Sequence, residues 1–249
     1  KIERDLRNAN YIVKESNKKE RRRRPIPPFT TSSLQQEAFK KLNFTTKKTM
    51  MLAQQLYEGL NLGKEGSVGL ITYMRTDSVR FSETAILDIR NYIESEFGSA
   101  YLPEKPNVFS SKKNAQDAHE AIRPTSITRS PASIEAYLTK DQLKLYSIIW
   151  KRAITSQMSE ALYDVTTLVI QAGEYNLNAS GSVLKFEGFL KLSDKKELAE
   201  EKEKPVPFLD PATALQVVEL QPAKQHFTEP PPYFTEATLV KELEDKGIG

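Results

Sequence analysis

Apolar residues recur at every third or fourth position through the middle of the chain, which is the period of an α-helix. The first such run follows Ser33, and Gln36 is placed to complete a capping box, so we predict a helix that starts near Ser33. Four more helices are predicted in TTKKTMMLAQQLYEGL, SETAILDIRNYIESEF, NAQDAHEAIR and TKDQLKLYSIIWKRAITSQM. The third of these must end near Arg123, because Pro124 disfavours helical backbone in the residue before it. Residues 31–158 are therefore expected to be almost entirely helical.

β-branched and aromatic residues are common in the runs on either side of this region. NANYIVKES has the content of a short strand, and further strands are predicted in YDVTTLVIQAG, EYNLNASGS and VLKFEGFLKL, broken by Gly173, Gly181 and Gly188. ALQVVELQPAKQHF resumes β structure, and FTEATLVKELEDKG is typical of a helix capped by Thr235.

The order of these elements predicts an α+β fold of more than one domain, in which a helical domain is inserted in a β-rich one. We place the β-rich domain at residues 1–30 and 159–235 and the helical domain at 31–158. Residues 236–249 are expected to start a further helical domain. Since the chain begins without methionine, we interpret it as a piece of a longer protein.

The composition removes several classes of function. Hydrophobic residues make up 39% of the chain and charged residues 28%, as in soluble globular proteins, and no apolar run reaches the roughly 18–20 residues of a membrane span. The chain has no cysteine and only two histidines, His119 and His226, so disulfides and thiolate metal sites are excluded and a zinc site is not expected. These features fit a cytoplasmic protein.

Positive charge is concentrated near the start of the chain, although the net charge is only +3. Between Lys18 and Lys48 there are ten basic residues and two acidic ones. One interpretation is that KKERRRR and the following PIPP form a solvated, stiff linker. The other is that the block contacts the phosphates of DNA.

The stretch GLITYMRTDS contains the first candidate for chemistry. A tyrosine can attack phosphorus if nearby groups stabilise the developing negative charge, because a phenol has a pKa of about 10. Arg75 lies two residues after Tyr73 and would project on the same side of an extended segment, where its guanidinium could hold a phosphate. Asp77 could orient Arg75, or the two could form a plain surface ion pair. Hydroxyl donors are supplied by Thr72, Thr76 and Ser78.

The stretch AQDAHEAIRPT contains the second candidate. His119 and Arg123 are four residues apart, so on the predicted helix they would share one face and could form a compact phosphate site. A solvated surface pair is the alternative. Gln54, in the second predicted helix, could also contact nucleic acid.

These motifs together resemble a known family. GLITYMRTDS, AQDAHEAIRPT and EPPPYFTEATLVKELEDKGIG, in this order and with PFTTSSLQQEAF upstream, resemble bacterial type IA DNA topoisomerases over nearly the full chain. The resemblance implies a helical domain that carries the tyrosine and a β-rich hinge domain that forms the arch of the enzyme. It implies that Tyr73 attacks single-stranded DNA to form a 5′-phosphotyrosyl bond, that Arg75 holds the scissile phosphate, and that His119 and Arg123 line the site.

The same resemblance implies partners beyond this chain. In the family, an amino-terminal toprim domain binds Mg²⁺ and completes the active site, so we expect a nucleoid-associated enzyme that relaxes negative supercoils without ATP. The chain alone is expected to bind single-stranded DNA weakly and to leave plasmids unrelaxed.

Other classes of protein stay open at this stage. A non-catalytic module could bind single-stranded nucleic acid through the basic block and stack Tyr73 on a base. A tyrosine recombinase or a relaxase would also form a phosphotyrosyl bond. However, a relaxase needs a histidine metal cluster that two distant histidines do not supply easily.

Overall fold

A computed structural model describes residues 1–110, 119–193 and 205–248. The chain forms two compact units. The β unit consists of Lys1–Arg24 and Glu160–Pro231, and the helical unit consists of Pro25–Ser159 and Pro232–Gly249. The mixed α and β architecture, with a helical unit inserted in a β-rich one, confirms the predicted fold class.

The regular elements of the described residues follow one another along the chain. They are α1 (Ile2–Arg7), β1 (Tyr11–Arg23), α2 (Thr31–Leu42), α3 (Thr46–Glu58), β2 (Leu60–Asn61), β3 (Ser67–Val68), α4 (Glu83–Phe97), α5 (Pro131–Ile134), α6 (Lys140–Ser156), β4 (Ala161–Ala172), β5 (Tyr175–Phe186), β6 (Ala214–Leu215) and α7 (Glu236–Asp245). None of the helices in these described ranges is long and apolar enough to span a bilayer.

The β unit is built on an antiparallel four-stranded sheet with the order β5-β4-β1-β6. β4 and β5 form a hairpin at Gly173, whose φ of 60° is a conformation that favours glycine. The predicted break at Gly181 is wrong, because Gly181 pairs with Thr166 inside the β4–β5 ladder. The predicted strand around Gly188 is shorter than expected, since Gly188–Leu192 forms a 3₁₀ turn.

The basic run near the start of the chain belongs to β1, which extends over 13 residues. Lys18 pairs with Thr166 and Arg23 with Ala161, so this part of the run is a strand of the central ladder. The linker interpretation is therefore wrong for Lys18–Arg23. Neighbouring β4 supplies backbone partners that a charged sequence by itself does not reveal.

The core of the helical unit lies between α2, α3 and α6, which pack against one another. Leu34, Leu56 and Ile149 are fully buried there, one from each helix. The two large aromatic side chains of α6 satisfy their polar atoms on the segment before α5. Tyr146 donates to the carbonyl of Arg129 (2.7 Å) and Trp150 to that of Ile127 (2.8 Å).

The helix starts show where capping patterns predict a boundary and where they do not. Ser82 and Thr139 cap α4 and α6 as predicted. The predicted start near Ser33 is wrong by three residues, because Thr30 is the cap of α2 and Ser33 is its partner in the capping box. The Ser33 hydroxyl accepts from the Thr30 N–H at 2.9 Å.

The predicted helix over NAQDAHEAIR is wrong where the structure describes it, at His119–Arg123. Residues 114–118 of that run lie outside the described residues. The backbone from His119 to Arg123 is extended because its N–H and C=O groups pair with distant segments: Ile122 N–H donates to the carbonyl of Phe29 (2.8 Å), and Arg123 C=O accepts from Thr72 N–H (2.9 Å). Residues 31–158 are therefore less helical than expected.

The last helix, α7, begins at the predicted cap Thr235 and packs against α2. The Ser32 hydroxyl bonds to the Glu244 carboxylate, and Thr46 N–H donates to Glu236 at 2.8 Å. In this chain α7 thus groups with the helical unit. That it begins a further domain stays a prediction.

Candidate active site around Tyr73

The segment that carries Tyr73 starts with a close approach to the end of α3. Leu70 N–H donates to the carbonyl of Leu56 at 2.7 Å, and a Cβ atom at position 69 would lie 2.7 Å from the carbonyl oxygen of Tyr57. A side chain at position 69 would force this backbone apart, so Gly69 lets the segment leave α3 at contact distance.

Thr72 attaches the segment to the extended run that follows His119. Its hydroxyl donates to the carbonyl of Ala121 (2.8 Å) and accepts from the N–H of Arg123 (3.0 Å), while its own N–H donates to the carbonyl of Arg123 (2.9 Å). Thr72 thereby helps to join the motifs GLITYMRTDS and AQDAHEAIRPT, which are far apart in sequence, and Thr125 adds bonds to the carbonyls of Gly69 (2.7 Å) and Leu70 (3.0 Å).

Thr31, in the first turn of α2, holds the segment on the other side of Tyr73. Its hydroxyl lies 2.8 Å from the carbonyl of Met74 and accepts from the N–H of Thr76 (2.9 Å), and its N–H donates to the Thr76 carbonyl (2.9 Å). Ser78 continues the pattern inward, since its buried hydroxyl accepts from Arg80 N–H at 3.2 Å. Backbone positions on both sides of Tyr73 are therefore fixed.

The side chains of the segment alternate between interior and solvent. Met74 is 1% exposed and Thr76 and Ser78 are buried, whereas Tyr73 is 46% exposed and Arg75 and Asp77 face solvent with it. This alternation of burial exposes both Tyr73 and Arg75, although the backbone bends at Thr72 and Met74. Within the described ranges neither Arg75 nor Asp77 forms an ion pair or a side-chain hydrogen bond, so the alternative of a surface ion pair between them is not observed.

The Tyr73 ring packs against one other tyrosine, Tyr57 in the last turn of α3. The ring centroids are 5.3 Å apart and the planes meet at 64°, which is an edge-to-face arrangement. Tyr57 is itself 41% exposed, so the two rings form one aromatic surface next to Arg75.

The two charged residues that follow His119, Glu120 and Arg123, pair with each other. Arg123 donates to the Glu120 carboxylate from Nε (3.0 Å) and Nη2 (2.7 Å), and Ser82 N–H donates to the same carboxyl group (2.7 Å). Burial alone would raise the pKa of Glu120, but the hydrogen bonds from Ser82 and the charge of Arg123 outweigh it and hold that pKa below its ordinary value. The His119 side chain is exposed.

Comparison with known proteins identifies the family. The family model described as DNA topoisomerase matches residues 1–249. The chain belongs to the DNA topoisomerase family. DNA topoisomerase 1 of Rickettsia felis is 51% identical over 249 aligned positions, which cover 98% of this chain and 32% of the relative. The structure of full-length topoisomerase I from Thermotoga maritima superimposes with a TM-score of 0.83 at 36% identity and covers 100% of this chain and 39% of that one.

The chain thus spans about a third of the length of these topoisomerases. The family membership confirms the resemblance drawn from the tyrosine and histidine motifs. The roles assigned to individual residues stay predictions, namely catalysis by Tyr73, Arg75 and His119 and DNA contact by Thr72, Asp77, Ser78, Arg123 and Gln54.

The geometry of this topoisomerase chain separates those residues into two groups. Tyr73, Arg75, Asp77 and His119 present side chains to solvent. The polar groups of the others are engaged inside the chain: Thr72 and Ser78 hold backbone, Arg123 pairs with Glu120, and the Gln54 amide bonds to Glu58 one turn along α3.

Two residues that matter to the site, Tyr57 and Thr31, were missed from the sequence. Tyr57 lies in a run predicted to be helical and Thr31 lies just before one, where an aromatic or hydroxyl side chain ordinarily serves packing or capping. Gly69 could have indicated the contact with the backbone at Tyr57, because a glycine directly before a buried apolar run often marks a place where two backbones approach closely.

Proposed function

We propose that this chain supplies the nucleophile of a type IA DNA topoisomerase, an isomerase that breaks and rejoins one DNA strand. The observation that carries the proposal is the outward-facing row formed by Tyr73, Arg75 and Asp77 on a segment whose backbone is fixed on both sides. A nucleophile and a guanidinium that has no partner among the described residues, two positions apart, form a site for one phosphate.

In the proposed reaction the Tyr73 oxygen attacks a phosphodiester of single-stranded DNA. A bond forms between the phenol oxygen and phosphorus, and the bond from phosphorus to the 3′ oxygen breaks. The phenol loses its proton and the 3′ oxygen gains one, which leaves a 5′-phosphotyrosyl linkage and a free 3′-hydroxyl. Arg75 donates to the non-bridging oxygens and stabilises the charge that develops on them.

Religation is the reverse reaction and needs no ATP, because the phosphotyrosyl bond retains the energy of the phosphodiester. Passage of a second strand through the break changes the linking number, and the enzyme relaxes negative supercoils in the bacterial nucleoid.

The neighbouring residues receive different roles in this proposal. His119 is exposed and can contact the phosphate or exchange a proton near it. Asp77 is exposed and lines a cavity of about 440 Å³ together with residues of α2 and α7, and we assign it a contact with a neighbouring nucleotide. For Thr72 and Ser78 the hydrogen bonds favour positioning of the Tyr73 segment over direct DNA contact.

The metal ion of the proposed enzyme is assigned to another part of the protein. The ranges 1–110, 119–193 and 205–248 contain no group of three His, Asp or Glu side chains that could hold a metal ion. We therefore assign Mg²⁺ to a toprim domain outside this chain and expect the chain alone to bind single-stranded DNA without relaxing plasmids.

The proposal is tested in an enzyme that joins this chain to its toprim domain. A labelled single-stranded oligonucleotide is incubated with enzyme and Mg²⁺, denatured in detergent and analysed for covalent protein–DNA adduct. Tyr73→Phe is expected to abolish the adduct, and the matched control Tyr137→Phe, at an exposed tyrosine of the same unit, is expected to retain it.

Two results of this assay would contradict the proposal. An adduct that survives Tyr73→Phe would remove Tyr73 as the nucleophile, and a linkage to the 3′ end would exclude the type IA reaction. DNA binding without any adduct in the unmodified enzyme would favour a non-catalytic binding module instead.

A further inference from the structure

Different contacts restrain the backbone and the side chain of Tyr73. Hydrogen bonds from Thr72 and Thr31 fix the backbone around Tyr73. Its side chain has no hydrogen-bond partner among the described residues, and its ring contact is with Tyr57. The backbone therefore fixes where the Tyr73 side chain starts, and the Tyr57 ring limits where the phenol can point.

The position of Tyr57 is determined by the same backbone contact that starts the Tyr73 segment. Tyr57 lies one residue before the end of α3, and Leu56 accepts the hydrogen bond from Leu70. Gly69 brings the segment against the Tyr57 carbonyl. The end of α3 and the residues leading to Tyr73 are thus joined by backbone contacts, which hold together the main-chain positions from which the two rings start.

We propose that Tyr57 is a positioning residue for the nucleophile, an inference that rests on the proposed function of Tyr73. Its ring edge restricts the Tyr73 side chain to the orientation that presents the phenol oxygen beside Arg75. The role belongs to the aromatic ring of Tyr57, because its hydroxyl forms no hydrogen bond within the described part of the chain.

A half-exposed tyrosine needs such a restraint to act as a nucleophile. A side chain with 46% exposure can occupy several χ1 rotamers, and displacement in line with the leaving oxygen tolerates only one of them. An edge-to-face pair favours one orientation without enclosing the ring, so Tyr73 stays accessible to a phosphate.

The test compares Tyr57→Phe, Tyr57→Leu and Tyr57→Ala in the enzyme that contains the toprim domain. Single-turnover cleavage of a labelled oligonucleotide is measured at saturating enzyme, and DNA affinity is measured separately by fluorescence anisotropy. Tyr57→Ala and Tyr57→Leu are expected to slow cleavage about 2- to 10-fold, the rate equivalent of one aromatic pair, with the affinity for DNA unchanged. Tyr57→Phe is expected to cleave at the unmodified rate.

The control is Met51→Ala, which removes a similarly exposed apolar side chain from the same helix. It is expected to leave cleavage unchanged, and equal slowing by Met51→Ala would assign the effect to general damage of α3. If Tyr57→Ala does not fold, Tyr57→Leu keeps an apolar side chain of similar volume and gives the same comparison.

Three results would overturn the proposal while leaving the assignment of Tyr73 intact. Tyr57→Phe as slow as Tyr57→Ala would indicate a chemical role of the hydroxyl. Weaker DNA binding with an unchanged rate at saturation would indicate that Tyr57 stacks on a base. Unmodified rates in all three variants would show that the ring contact does not position Tyr73. By contrast, failure of the proposed function would appear as no adduct in the unmodified enzyme.

Discussion

The Tyr73 segment and strand β1 both carry arginines that from sequence alone are candidates for phosphate binding. In β1 several of the charged side chains have partners: Lys18 pairs with Asp164 (3.0 Å), Glu20 with Lys185 (3.0 Å), and the Arg21 guanidinium lies 5.2 Å from the centre of the Tyr163 ring. In the Tyr73 segment Arg75 has no such partner within the described residues. The arginines of the basic strand are therefore engaged within the chain, whereas Arg75 keeps its guanidinium available among the described residues.

The largest expected effect is at Arg75. Arg75→Ala should lower the cleavage rate about 100-fold, as does loss of one donor to a transition-state oxyanion in other enzymes. Affinity for single-stranded DNA should change less than about threefold, because one phosphate contact is a small part of a longer footprint. Single-turnover cleavage and anisotropy measure the two quantities.

The comparison with β1 gives the control for Arg75. Arg21→Ala removes an arginine that already stacks on Tyr163 and should leave the cleavage rate unchanged. Arg75→Lys should recover part of the rate, since it keeps the charge and loses the planar donor fork. Equal losses in cleavage and affinity at Arg75 would contradict a transition-state role.

The second-largest effect is expected at Thr31, which fixes the backbone of the Tyr73 segment. Thr31→Val keeps the shape of the side chain and removes the hydroxyl that bonds to Met74 and Thr76. We expect a loss of about 1–2 kcal/mol in the free energy of unfolding, measured by urea denaturation, because backbone groups lose a partner. Thr128→Val, at an exposed threonine, should stay within about 0.5 kcal/mol, and a similar loss there would count against a specific role for Thr31.

A smaller effect is expected at Glu120, which pairs with Arg123. The pKa of Glu120 is lower in the folded chain than in the unfolded one, so its carboxylate stabilises the fold fully above about pH 5 and loses that contribution as the pH falls through its lowered pKa. Glu120→Gln should therefore lower the Tm at pH 7, and the difference from the unmodified chain should shrink towards pH 3.5. A difference that does not vary with pH would mean that packing, and not charge, explains the loss.

The smallest effect is expected on β1. A double-mutant cycle of Lys18→Ala and Asp164→Ala should give a coupling energy of less than about 0.5 kcal/mol, because the pair is solvent-accessible. The coupling should vanish in 0.5 M salt, where exposed charges are screened. A coupling that persists at high salt would place this pair in a less solvated environment than its exposure indicates.

Prediction from sequence succeeded where a signal is local. Ser82 and Thr139 cap helices because a hydroxyl can reach the N–H three residues ahead whatever the rest of the chain does. The tyrosine motif is also a local signal, and the structure exposes both Tyr73 and Arg75. Prediction failed where a distant segment supplies the partner, as at His119–Arg123, whose hydrogen bonds go to Phe29 and Thr72 rather than along a helix.

The sequence by itself determined most of the helices and strands and the capped starts of α4, α6 and α7, and its motifs resemble the family to which the chain belongs. The helices, strands and caps follow from periodicity and capping, which act within a few residues. Only the tertiary structure decided that the basic run is a paired strand, that Thr31 and Thr72 hold the Tyr73 segment, and that Tyr57 lies against Tyr73. Whether a charge is paired or a ring is restrained depends on atoms brought together across the chain, and no local pattern encodes those distances.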